Sequence, residues 1–249
     1  KKCPIELEVF IHGAMCASYS GKCTISIISA GRDSNRGGCV QSCRHKYDLI
    51  DPHTEKQVGS SHIMNAKDLM GLYQLPDMIK AKMASVKIEG RMKSNMYVAN
   101  AVRTYRKAVD YCYEMLQKNL PIDQDQLGQY EDTLRQVSNR NFSSGGLDKR
   151  HGQESIHYDF GGYQKEVDYI GIVRDLVPHD KVFIDVKGTF QQGDQLQMLH
   201  QNGETSLVLI DQFWSVSGEQ LTCAKPNTVI GLPWKEGVHR LDVVCKKFL

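Results

Sequence analysis

The feature that most constrains this chain is a cluster of cysteines near its N-terminus. Four of its eight cysteines lie within residues 16–43, namely Cys16, Cys23, Cys39 and Cys43. Zinc sites usually use short Cys-x2–4-Cys knuckles, whereas iron–sulfur clusters accept wider intervals because the thiolates converge from separate loops. The spacing therefore predicts an iron–sulfur cluster or zinc, and it leaves unligated thiols and disulfides open.

The sequence around these cysteines is basic and rich in glycine. Residues 32–38 have the composition of a loop, and the flanking cations are Lys22, Arg32, Arg36 and Arg44. Nearby cations lower the pKa of a thiol and offset the charge of several thiolates. The segment is therefore suited to a centre built on thiolates.

The other cysteines have different settings. Cys112 lies on the apolar face of a predicted helix, and Cys223 and Cys245 lie in β-like runs. We expect all three to be small core residues. The position of Cys3, next to the N-terminus, gives no indication of its role.

The rest of the sequence divides into an α/β part and a β part. Residues 94–119 carry an apolar stripe at helical spacing, and residues 123–137 predict a second, more polar helix. After about residue 160 the chain consists of short β runs separated by Gly, Pro, Asn and Asp, a pattern typical of a small barrel. The expected regions are an α/β part at 1–120, a helical linker and connector at 121–160, and a small β-barrel domain at 161–249.

Shorter elements are predicted ahead of the long helix. The strand-like runs are 7–13, 46–50, 61–65 and 84–90, and Pro76 divides residues 65–83 into two short helical pieces. The first strand follows almost at once on a start without Met, so we expect that the chain was cut from a longer one.

Composition limits the classes of protein that remain. The formal net charge of +2 is too weak to indicate nucleic-acid binding over the whole surface. The sequence has no run of eighteen apolar residues and no signal-peptide core, so we expect no membrane span and a cytoplasmic, reducing location. In such a compartment clustered cysteines are more often metal ligands than disulfides.

Several motifs resemble one known family. They are "ELEVFIHGAMCASYSGKCTIS", "GRDSNRGGCVQSCR", "NAKDL", "KIEGRMKS" and "YVANAVRTYRKAVD", and "SNRNFSSGGL" is a looser match. Together they resemble the collagenase-like peptidase family, number thirty-two of the class of unknown mechanism. The resemblance implies that the α/β part is similar to a portion of a TIM-type barrel. It further implies that the N-terminal half of that barrel is missing here, and that a second subunit could supply it.

Within the family the sequence is most similar to the prephenate-dependent tRNA hydroxylation proteins. This resemblance implies hydroxylation of the tRNA wobble uridine to 5-hydroxyuridine, with prephenate as the oxygen source. It also implies a 4Fe–4S cluster on Cys16, Cys23, Cys39 and Cys43, with zinc as the alternative. Some relatives have Cys where this chain has Met70, so the fourth ligand is open, and Cys43 is our choice.

Candidate site residues follow from this chemistry. Prephenate is a dicarboxylate, and Arg32, Arg36 and Arg91 are the predicted groups that hold it. Active sites in such barrels lie at the C-terminal ends of strands, where His12 is a candidate proton shuttle and Glu89 a candidate base. The alternative is that His12 is a hydrogen-bonded structural residue and that Glu89 and Arg91 form a structural ion pair.

The candidate tRNA contacts are one cation beside the cysteine cluster and three further along the chain. They are Arg44, Lys93, Arg103 and Arg106. The alternative is that the helix cations form a solvated face.

Two other functions remain open. The first is a peptidase, although no His-Glu-x-x-His or Gly-x-Ser-x-Gly motif occurs and only the proximity of Cys16 and His12 suggests a nucleophile. The second is a non-catalytic RNA-binding subunit that needs its partner half.

Overall fold

Residues 5–150, 152–159 and 161–247 are described by a computed structural model. Cys3 therefore lies outside the described residues. The chain forms two compact units. The first comprises residues up to 91 together with 105–164, and the second comprises 92–104 with residues from 165 onward. The segment 121–160, predicted as a linker, belongs to the first unit.

The first unit mixes helices and short strands. The long helix α3 contributes to both units. In chain order the elements are β1 (Glu8–Gly13), α1 (Ile25–Ala30), β2 (Tyr47–Ile50), β3 (Gln57–Ser61), β4 (Asp68–Met70), α2 (Leu75–Lys80), β5 (Ser85–Ile88), α3 (Asn95–Gln117), α4 (Gln124–Arg135) and β6 (Phe142–Ser143).

The central sheet of this unit has the strand order β5-β1-β4-β6. The β1–β5 and β4–β6 pairs are parallel, whereas β1 and β4 run antiparallel, with His12 opposite Met70. The strands of a TIM-type barrel are all parallel. The mixed α/β character is therefore confirmed, and the barrel segment is not.

The helix predicted at 94–119 is confirmed as α3, and the one at 123–137 as α4. The buried face of α3 includes Tyr97, Ala101 and Cys112, all at most 1% exposed. Val98 and Val102, which the helical spacing also places in the predicted apolar stripe of residues 94–119, are 40% and 50% exposed. Each follows a buried residue by one position, which rotates its side chain by roughly 100° towards solvent.

Two short predictions are wrong. The strand expected at 61–65 is displaced, because β3 ends at Ser61. The first helical piece expected within 65–83 is instead the buried strand β4. Pro76 does not interrupt a helix there; it lies in the first turn of α2, where a missing N–H costs nothing.

The second unit is antiparallel throughout. Its strands are β7 (Val167–Val177), β8 (Lys181–Val186), β9 (Phe190–Gln191), β10 (Gln195–Leu199), β11 (Thr205–Leu209), β12 (Phe213–Ser215), β13 (Gln220–Leu221), β14 (Cys223–Ala224), β15 (Val229–Pro233) and β16 (Val243–Lys247). Eight of them form one sheet in the order β11-β10-β16-β7-β8-β15-β12-β13.

This sheet curls around a core that includes Phe190, Phe213 and Ile184. Among the described strands β11 and β13 are not paired with each other. The predicted small barrel is therefore a curled half-barrel. Cys245 is buried as expected, but Cys223 is exposed, so its prediction as a core residue is wrong.

No helix among the described residues is both long and apolar enough to cross a membrane.

Candidate thiol centre and adjoining cavities

Polar side chains, rather than an apolar core, hold the cysteine loops in place. The hydroxyl of buried Ser26 accepts the N–H of Val40 at 3.3 Å, and the hydroxyls of Ser29 and Ser42 lie 2.6 Å apart. Both contacts join the helix α1 to the loop that carries Cys39 and Cys43. Such side-chain bonds can fix a loop that has little hydrophobic surface to bury.

A second set of bonds closes the loop between Cys23 and Cys39. The carbonyl of Cys23 accepts the Ser34 hydroxyl at 2.9 Å and the Asn35 amide at 3.0 Å. Gly38 donates its N–H to the carbonyl of Asp33 at 2.9 Å. A Cβ on Gly38 would lie 2.7 Å from that carbonyl oxygen, so the close approach requires glycine.

Cys43 lies within electrostatic range of the other three clustered thiols. Burial raises the pKa of Cys43, Arg44 lowers it, and the charges of Cys16, Cys39 and Cys23 each raise it further. A thiol can respond to three others only if all of them lie close together. The described cysteines are all free thiols.

Hydrogen-bond donors also surround the sulfur atoms. Ser18 donates its backbone N–H to the Sγ of Cys16, and Gln41 donates to the Sγ of Cys39, both at 3.4 Å. The Ser34 hydroxyl makes the largest contribution to lowering the pKa of Cys23. The backbone N–H groups of Ile25 and Ser26 lower it further. Donors of this kind stabilise thiolates and tune the potential of an iron–sulfur cluster.

The donor set fits a thiolate-bound metal centre in its chemistry. It supplies four soft ligands, N–H donors to sulfur and an adjacent arginine. In the described parts of the chain, however, no three His, Cys, Asp or Glu side chains have the arrangement of an assembled metal site. The thiols therefore lie in one region of the protein, but they do not have the geometry of ligands around a single metal ion.

Two cavities adjoin the thiols. One of about 650 Å³ is lined by Cys16, Tyr19 and Lys67, among others. The other, of about 380 Å³, is lined by Cys39, Arg44 and further residues. Both volumes are within the range of small-molecule sites.

His12 lies in the core and not at a surface. It is 0% exposed, its Nδ1 is 3.3 Å from the hydroxyl of Tyr105, and its ring lies 5.3 Å from those of Tyr105 and Phe142. This environment supports the structural alternative. Glu89 is partly exposed, and its carboxylate accepts the backbone N–H of Arg91 at 3.0 Å.

The arginines predicted to hold a dicarboxylate are all exposed. Arg32 and Arg91 lie at the surface, and the side chain of Arg36, which pairs with Asp33 at 3.5 Å, is 88% exposed. None of the three lines the cavities at Cys16 and Cys39.

The predicted tRNA contacts are not brought together. Arg44 lines the cavity at Cys39. Arg103 is half-buried and donates to the carbonyl of Gly203 at 3.0 Å, so its guanidinium serves the fold. Arg106 pairs with Asp110 on the surface of α3, and Lys93 lies over the ring of Tyr97 at 4.8 Å.

A buried ion pair lies beside the thiol loops, and nothing in the sequence predicted it. Arg140 is 0% exposed, and its Nη2 lies 2.5 Å from Oδ1 of Asp68, which is also 0% exposed. The motif "SNRNF" contributed only to a family resemblance, because its composition is that of a polar loop.

The structure thus defines a two-part protein, with a thiol-bearing α/β unit and an antiparallel β unit. The chain belongs to peptidase family U32. Residues 1–157 match Peptidase family U32, and residues 165–244 match the Peptidase family U32 C-terminal domain.

Named relatives fall into two groups. The chain is 34% identical over 233 residues to tRNA hydroxylation protein P1 of Bacillus subtilis, covering 90% of this chain and 54% of that protein. It is 31% identical over 245 residues to a collagenase of Porphyromonas gingivalis, covering 96% and 65%. It is 42% identical over 108 residues to the 23S rRNA 5-hydroxycytidine C2501 synthase of Escherichia coli, covering 43% and 16%. The chain thus spans about half to two thirds of the first two.

The first prediction concerns the thiol pKa values. In the metal-free, reduced protein, iodoacetamide will alkylate Cys23 at lower pH than Cys43, because a lowered pKa makes thiolate available at lower pH. Ser34→Ala removes a donor and will shift the alkylation profile of Cys23 to higher pH, whereas Ser60→Ala will not. Peptide mass spectrometry across a pH series measures this. Identical profiles for Cys23 and Cys43, unmoved by Ser34→Ala, would contradict the described environment.

Proposed function

We propose that this chain is the thiol-bearing part of an iron–sulfur-dependent RNA hydroxylase acting in the cytoplasm. The proposed reaction converts the wobble uridine of tRNA to 5-hydroxyuridine, with prephenate as the oxygen source. Relatives named for tRNA hydroxylation and rRNA hydroxycytidine synthesis support RNA hydroxylation as the class. The observation that carries the proposal is the set of hydrogen bonds that ties the segment after Cys23 to the loop carrying Cys39 and Cys43, together with N–H donors to the Sγ atoms of Cys16 and Cys39.

Cys16, Cys23, Cys39 and Cys43 would hold the cluster. A single zinc ion draws its thiolates to about 2.3 Å from one point, whereas a polynuclear cluster keeps them further apart. The wide and irregular spacing of the four cysteines favours the cluster over zinc, whose sites usually use short Cys-x2–4-Cys knuckles. When bound, the cluster would supply the redox chemistry that ordinary side chains lack, since ring hydroxylation removes two electrons.

The cavity beside Cys16 is the proposed nucleobase site. The Tyr19 side chain is 88% exposed and can stack on a base. Lys67 can bind a phosphate or donate a hydrogen bond to a carbonyl oxygen of the base. Its volume of about 650 Å³ accommodates one nucleoside. A base in this cavity would lie against the Cys16 side of the thiol cluster.

The rest of the active site is proposed to come from chain beyond these residues. The relatives are longer, so a further segment or a second subunit is proposed to complete a barrel around the thiol loops. Glu89 is partly exposed and stays a candidate base in that assembly.

The second prediction tests the cluster in cells. Cys23→Ser and Cys39→Ser, introduced into the chromosomal gene, will abolish 5-hydroxyuridine and remove iron from the purified protein, because each deletes one ligand. Mass spectrometry of tRNA nucleosides and metal analysis provide the readouts.

The matched control is Cys112→Ala. Cys112 is buried in the helix α3, where burial raises its pKa to about 11. This change will leave iron and modification intact and destabilise the fold by about 1 kcal/mol. Normal 5-hydroxyuridine in either cluster variant would overturn the assignment, and clean tRNA binding without any modification would point to a non-catalytic subunit.

A hydrolase is the second candidate function, and one row of side chains favours it. In the second unit the Oγ of Ser206 lies 2.8 Å from Nε2 of His200, whose Nδ1 lies 2.7 Å from Asp242. The order matches a serine-hydrolase triad. However, Asp242 also accepts the N–H groups of Gln201 and His239, at 3.2 Å and 2.9 Å. These bonds tie Asp242 to the backbone on both sides of the row, and we propose cross-strand stabilisation as its role, with the hydrolase as the alternative.

The third prediction separates these two roles. A fluorophosphonate reagent will not label Ser206, and Ser206→Ala will leave tRNA modification unchanged. Covalent labelling that is lost in Ser206→Ala but kept in Ser217→Ala, which alters an exposed serine of the same unit, would establish the hydrolase instead.

A further inference from the structure

Arg140 is a buried cation whose hydrogen-bonding capacity is only partly used. Its Nη2 pairs with Asp68 at 2.5 Å, and its backbone N–H donates to the other carboxylate oxygen at 3.2 Å. Among the described residues, neither its Nε nor its Nη1 has a hydrogen-bond acceptor. Folded proteins rarely leave buried charged donors unsatisfied, since the lost hydration is not replaced. The unused donors therefore point to a ligand.

Arg140 lines the cavity of about 380 Å³ that also borders Cys39. Arg44 is a second guanidinium that lines this cavity, and neither Asp nor Glu occurs among the described lining residues. Asp68, which lies behind Arg140, offsets the charge of that arginine, so Arg44 supplies the net positive charge of the cavity. Guanidinium groups bind oxyanions with directed hydrogen bonds.

The surrounding contacts hold both arginines in position. Asn139 and Gln164 exchange backbone hydrogen bonds at 2.8 Å and 2.7 Å, which fixes the segment whose Tyr163 ring lies 5.5 Å from Cζ of Arg140. The carbonyl of Arg44 accepts a hydrogen bond from Nδ1 of His62 at 3.1 Å. Preorganised donors lose little entropy on binding.

We propose that this cavity binds a small dicarboxylate through Arg140 and Arg44. The inference rests on the proposed function for the role of that ligand, which would be the co-substrate held on the Cys39 side of the thiol cluster. A carboxylate matches the planar guanidinium, and the enclosed position of Arg140 suits a small molecule better than a polymer backbone. Arg32, Arg36 and Arg91 are then not the main anchors, which accords with their exposure.

Binding is measured on the whole protein by isothermal titration with prephenate and with succinate, its simple analogue. Arg44→Gln and Arg140→Lys will each weaken binding about ten- to a hundredfold, the loss expected for one charged hydrogen-bonding group. Arg174→Gln, on an exposed arginine of the second unit, will leave binding unchanged. If circular dichroism shows that Arg140→Lys is unfolded, the test rests on Arg44→Gln alone.

The competing ligands decide the remaining outcomes. Inorganic phosphate or a single-stranded RNA oligonucleotide that binds more tightly than the dicarboxylates, with the same dependence on Arg44, would overturn the proposal in favour of a phosphate site. Unaltered dicarboxylate binding in Arg44→Gln would also overturn it. Because the readout is binding, a protein that binds the dicarboxylate through these arginines but never hydroxylates RNA would refute the proposed function and leave this inference standing.

Discussion

The buried ion pair between Asp68 and Arg140 organises the end of the first unit that carries the candidate site. Asp68 lies in β4, and its N–H donates to the carbonyl of Asn141 at 3.0 Å, so the pair and the β4–β6 ladder reinforce each other. Removing one partner of such a pair costs ~3–5 kcal/mol, because an uncompensated charge stays buried. Arg140, one member of this pair, also lines the cavity beside Cys39.

The thiol loops depend on a weaker kind of stabilisation. α1 has only one buried residue, Ser26, and serine hydroxyls and glycine turns position the segment. Loops held in this way open more readily than a packed core. A bound inorganic centre would couple its own binding free energy to the folding of these loops. The arrangement makes sense if the segment is completed by a metal centre rather than by hydrophobic burial.

Features that depend on interactions between residues close in the sequence were predicted correctly, whereas features that depend on distant residues were missed. Helix α3 was predictable because apolar periodicity is a local feature, and Cys112 was correctly assigned to its buried face. The strand β4 was missed because three residues inside a helix-like pattern take their conformation from partners in β1 and β6. The burial of Arg140 depends on Asp68, which lies 72 residues away in the chain.

The remaining errors have similar causes. Alternation along a strand does not tell which face is buried, so Cys223 was placed inside although it is exposed. The cysteine grouping, by contrast, is a matter of composition and was visible at once. Which arginines would serve the site was not visible, since exposure and partners decide that and only the fold supplies them.

X-ray absorption at the iron and zinc edges, on whole protein purified without oxygen, tests most directly whether one inorganic centre joins the four thiols. We expect iron with a sulfur shell and a second shell of iron, at about four iron atoms per chain. Stoichiometric zinc in a single sulfur shell, or a metal-free protein whose four thiols all react independently, would contradict it.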